Sequence, residues 1–236
     1  MATAVRPWTP AEIIRTSAAV LTMRGYYQPL GRPGEQAIPT ALDVTAHLHG
    51  WEPVQRGDRA RIARAAAQLA PGTVEAVTAW AASPPPQPST YRLRLARLVR
   101  SAALTEDDVP VLASAVHAWQ RTQQRAARAA QAETDRARST HQGAVEERIT
   151  RRLTVAAVVE QPSRTYGYRV QLRYLVRLRD ESGAVYVWPA QPKTREDLPA
   201  EGQEIEARAT VTRHETYQGT AQTWVTRVRW TPADQA

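Results

Sequence analysis

Residues 168–180 read Tyr-Arg-Val-Gln-Leu-Arg-Tyr-Leu-Val-Arg-Leu-Arg-Asp, and they alternate. Tyr168, Val170, Leu172, Tyr174, Val176 and Leu178 share one parity. Arg169, Gln171, Arg173, Arg177 and Arg179 share the other, interrupted by Leu175. A β-strand sends successive side chains to opposite faces. The stretch therefore predicts one long strand with an apolar back and an arginine front.

Working outward, the neighbouring segments carry the same period. A first strand is expected over residues 151–160. The strand over 168–180 turns at Glu181-Ser182-Gly183 into a third over 184–188. A connector with Pro192 and Pro199 leads to a fourth over 203–214, and Tyr217-Gln218-Gly219 turns into a fifth over 221–230. Five strands in about 80 residues, with the long connector after the third, fit a small Greek-key barrel of the OB type.

Upstream the period changes to helical. Thr9, Pro10 and Glu12 form a helix start: a cap, a first-turn proline and the acid of a capping box. Further helices are expected over 41–48, 58–69 and 73–82, separated by Gly50 and by Pro71-Gly72. Pro84-Pro85-Pro86 is a stiff break. Beyond it, residues 91–103 and a helix starting at Thr105-Glu106-Asp107-Asp108 form a helical hairpin. Residues 121–137 are Gln, Arg and Ala without an apolar stripe, which predicts a solvated linker helix. The expected class is α+β and multidomain: a small helical domain (1–82), a Pro-rich linker with helical hairpin and charged linker helix (83–147), and the barrel (148–236).

Composition bounds the function. The 236 residues are 42% hydrophobic, ordinary for a folded protein. With no cysteine, disulfides, thiolate metal sites and thiol catalysis are excluded. No stretch approaches the roughly 18 apolar residues of a membrane span, and the first residues do not resemble a signal peptide, so a cytoplasmic protein without membrane contact is expected. The formal charge is +8, and of 31 basic residues only Lys193 is lysine. Arginine is the better fork for phosphate. Coding bias accounts for much of that choice, since the chain is rich in alanine and lacks phenylalanine.

Residues 214–228, His-Glu-Thr-Tyr-Gln-Gly-Thr-Ala-Gln-Thr-Trp-Val-Thr-Arg-Val, resemble the closing hairpin of an OB-fold domain of phage and mobile-element proteins. In that family a His-x-x-Tyr-x-Gly turn is followed by Gln-Thr and Thr-Arg-Val. Residues 91–119, with Leu104-Thr105-Glu106 between two helices, are similar to the hairpin that precedes its barrel. The chain departs from it at Thr220, often lysine there, and at Trp224, usually aliphatic. The resemblance implies single-stranded nucleic-acid binding.

The candidate interface is therefore the arginine row, Arg169, Gln171, Arg173, Arg177 and Arg179. Tyr186 and Trp188 would stand beside it as base-stacking aromatics if Val185 and Val187 face the core. The alternative is a merely solvated strand face. No phosphate loop, nucleophile elbow or zinc-protease motif is present, and the five histidines lack ligand spacing. Neither catalysis nor a metal or cofactor is expected. The leading expectation is a non-enzymatic single-stranded DNA-binding accessory protein of phage or mobile-element replication or recombination. Two others stand beside it: an RNA-binding accessory protein, and a protein–protein adaptor using residues 1–82 and the barrel.

Overall fold

The computed structural model describes residues 8–27, 38–51, 58–102, 104–166 and 169–233; the side chains of residues 164, 166 and 169 lie outside that description. Two compact units divide the chain, 1–125 and 126–236.

The first unit is helical: α1 (Pro10–Arg24), α2 (Thr40–His49), α3 (Asp58–Ala67), α4 (Thr73–Ala82), α5 (Thr90–Leu98) and the start of α6 (Val109–Arg138). The expected cap of α1 is present. Thr9 Oγ1 accepts from the Glu12 amide at 3.2 Å, and the Glu12 carboxylate accepts from the Thr9 amide at 2.7 Å. Ile13, Ile14, Val44, Ile62 and Val77 form one buried cluster with Leu95, Leu98, Leu112 and Val116. The proline run is thus a turn within a packed unit, because α5 and the first turns of α6 share the core of α1–α4. Arg24 bridges the buried carboxylates of Asp43 and Asp58, which answers the charge those acids bring inside.

α6 is 30 residues long. Its residues 120–131 are all exposed, so that segment is held by helix propensity rather than burial.

The second unit is a five-stranded sheet: β1 (Arg148–Tyr166), β2 (Arg169–Arg179), β3 (Val185–Ala190), β4 (Glu204–Tyr217) and β5 (Thr220–Pro232). The strand order β1-β2-β3-β5-β4 closes, because β4 returns to pair with β1. All pairings are antiparallel except β3 with β5. β1 closes the ring by serving two partners: Thr154 stands opposite both Arg179 and Glu204. The interior holds Leu153, Val155, Val176, Leu178, Tyr186, Ile205, Val211 and Val225. The β4–β5 turn has Gln218 at φ 51° and Gly219 at φ 80°, the two left-handed residues that match a tight hairpin to the strand twist.

One irregularity bears on function. Arg208 pairs with Arg229 and Thr210 with Thr226, leaving Ala209 opposite two residues, Arg227 and Val228. Arg227 takes the extra place with φ 52°, a left-handed conformation costing an L-residue about 1–2 kcal/mol. Among the described residues, no helix is long and apolar enough to cross a membrane.

Candidate nucleic-acid interface

β2 has the faces its alternation predicts. Tyr174, Val176 and Leu178 are buried, while Arg173, Arg177 and Arg179 on the other parity are half-buried. Tyr168 lies outside the described residues, as does the Arg169 side chain. The arginine row does not present a uniform cation surface, however. Asp135 of α6, only 1% exposed, takes two of its members. Arg179 holds both carboxylate oxygens, Nε at 2.8 Å and an Nη at 2.6 Å, and Arg177 adds a contact at 2.8 Å. The Gln131 amide completes the set at 2.9 Å.

Burial alone would raise the Asp135 carboxyl. The bonds from Arg179 and Gln131 and the charges of Arg179 and Arg177 outweigh it, and its pKa falls below the usual range. Arg177 and Arg179 are therefore structural anchors of α6 on β2, not free phosphate ligands. Ser139, just past the helix, adds to the anchor: its hydroxyl donates to the Ala221 carbonyl at 2.6 Å and accepts from the Val185 amide at 2.9 Å.

The pairing register corrects the reading of β3. Tyr186 pairs with Leu178 and Trp188 with Val176, so both aromatics share the interior face. Tyr186 is fully buried, and its hydroxyl donates to Asp180 at 2.9 Å. Burial, reinforced by Asp180, raises its pKa. Trp188 is half-buried against the interior cluster. Val185 and Val187 lie on the arginine side and are buried too. A strand covered on both faces has no polar side, so alternation could not tell its interior from its exterior. Tyr186 and Trp188 form no platform beside the arginines.

What remains open on β2 is its far end. Gln171 donates to Gln191 at 2.8 Å, and Arg173 has no hydrogen bond or ion pair with any described residue. The β4–β5 turn presents Tyr217, 56% exposed.

Four further arginines stand on the outside of β1, β4 and β5. Arg148, Arg208, Arg227 and Arg229 are exposed, line one cavity of about 240 Å³ with Ala209 and Thr210, and have no partner among the described residues. The sequence carried part of this signal, since Glu204, Glu206, Arg208, Thr210 and Thr212 alternate with Ile205, Ala207, Ala209 and Val211. The bulge at Arg227 had no such signature.

Among the described residues, no group of three or more His, Cys, Asp or Glu side chains could hold a metal ion. No family model, curated protein or solved structure matches the chain.

Proposed function

We propose that this protein is a non-enzymatic single-stranded nucleic-acid-binding accessory protein, with DNA as the favoured ligand, and that residues 148–236 form a barrel of the OB type. A closed ring of five strands with a long connection after the third supports the fold assignment. Barrels of that type bind oligonucleotides across strands two and three and through the loops joining strands one to two and four to five. The observation that carries the reading is Arg173. It stands on the outer face of β2, beyond the reach of Asp135, and no acid among the described residues pairs with it. Tyr217 at the β4–β5 turn supplies an exposed ring of the kind that stacks on bases. The phage or mobile-element setting rests only on the resemblance carried by residues 214–228 and 91–119.

The test is fluorescence anisotropy with a labelled oligothymidylate. For single strands, log K falls against log salt by about 0.7 for each phosphate neutralised. Arg173→Gln keeps length and polarity and removes the charge. It should make the slope shallower by about 0.7, equally for every base sequence, because phosphate contacts position a strand without reading it. An unchanged slope would remove Arg173 from the interface and favour an adaptor role.

A further inference from the structure

Arg208 and Arg229 stand directly opposite each other on adjacent strands, a like-charge pairing that weakens a sheet. Arg148 of β1 joins them at the same cavity, and the bulge adds Arg227. The bulge is what makes this possible. Val225 and Val228 both face the interior cluster, yet three residues apart they would lie on opposite faces of a regular strand. The left-handed Arg227 absorbs the mismatch, and Arg227 and Arg229 both come out exposed. An unbroken alternation from Val225 would send both arginines inward.

Two unfavourable features thus meet at one place, a strained arginine and a repulsive arginine pair, and no acid at this cavity compensates either. A ligand that supplies negative charge would. The cavity also continues. A second one, about 330 Å³, shares Arg208 and Arg229 and is lined further by Thr150, Glu206, Trp230 and Thr231. Glu206 is the one acid in its lining, and the lining of the first cavity has none. Two adjoining cavities with shared arginines suit a chain of linked anions better than a single one, and the guanidinium fork matches phosphate oxygens two at a time.

We infer that Arg148, Arg208, Arg227 and Arg229 form a second phosphate-backbone subsite on the β1–β4–β5 side of the sheet, apart from Arg173 on β2. The inference rests on the nucleic-acid reading above and extends it. A strand engaged at both places is held on more than one side of the ring.

The same anisotropy titration separates the two sites in the full chain. The triple variant Arg208→Gln/Arg227→Gly/Arg229→Gln should make the slope for a 30-mer oligothymidylate shallower by about 2, from about 0.7 for each of three contacts. Arg227→Gly alone should make it shallower by about 0.7. Glycine occupies the left-handed region freely, so this variant should keep or raise the melting temperature while weakening binding. An unchanged slope in Arg227→Gly and in a folded triple variant would overturn the subsite. If Arg173→Gln still loses its share, the β2 reading survives that failure. If the unaltered protein binds no single strand, both readings fall together.

Discussion

Asp135→Ala is expected to destabilise the second unit by about 3–5 kcal/mol, the usual cost of breaking a buried ion pair by removing one partner. The carboxylate is 1% exposed and is, among the described residues, the acid that holds both Arg177 and Arg179, so its loss leaves two cations converging on a vacated, poorly hydrated point. In thermal unfolding followed by circular dichroism, the sheet's transition should fall by more than about 10 °C. Asp135→Asn keeps the shape and should recover part of the loss. The pH dependence follows from the sign of the shift. The folded pKa is depressed, so the contribution is fully present above the unfolded value, near 3.8, and is lost as pH falls through the lower folded value. Stability should be insensitive to this group between pH 5 and 7, by about the same reference value, and decline only in stronger acid. A melting temperature unmoved by Asp135→Ala would mean that α6 is not anchored through this carboxylate.

Tyr186→Ala should cost a similar amount, about 3–5 kcal/mol, because it empties a fully buried aromatic site inside the ring. Tyr186→Phe separates packing from polarity. It keeps the ring and removes one bond to a carboxylate, for which about 1.5–3 kcal/mol is expected. The rest of the Asp180 turn should hold, since the Ser182 and Ala184 amides each donate to the other carboxylate oxygen at 3.0 Å. Denaturant unfolding of both variants measures this difference. If Tyr186→Ala weakened oligonucleotide binding without a loss of stability, Tyr186 would belong to the surface after all.

β2 was legible because only one of its faces is fully buried: Tyr174, Val176 and Leu178 fall inside, as their spacing requires. The α1 cap and the Gln218-Gly219 turn were legible because their chemistry is local. β3 was not. Its outer valines are covered, so Val185 and Val187 carry the same apolar signature as the interior Tyr186. The Asp135 anchor was equally hidden, lying in a polar helix 42 positions before Arg177 with no apolar stripe to mark a buried side chain. Alternation marked Arg208 as outward, but nothing in the spacing of Arg227 and Arg229 announced the bulge that turns both out. Local chemistry survives into the fold unchanged; whatever depends on which element covers a face must wait for the packing.

The central claim is that arginines without acid partners hold a phosphate backbone. Among the described residues, five on the sheet make neither a hydrogen bond nor an ion pair: Arg173 on β2, and Arg148, Arg208, Arg227 and Arg229 across β1, β4 and β5. The direct measurement is the affinity of the unaltered full chain for single-stranded DNA across a salt series, with RNA and duplex DNA of equal length alongside. Five contacts give a slope near −3.5, so raising salt from about 50 to 200 mM should weaken binding by roughly 130-fold. The same series should show single-stranded DNA bound more tightly than RNA or duplex. A salt-independent affinity, or no binding to any of the three, would contradict the claim and leave these arginines as a solvated surface.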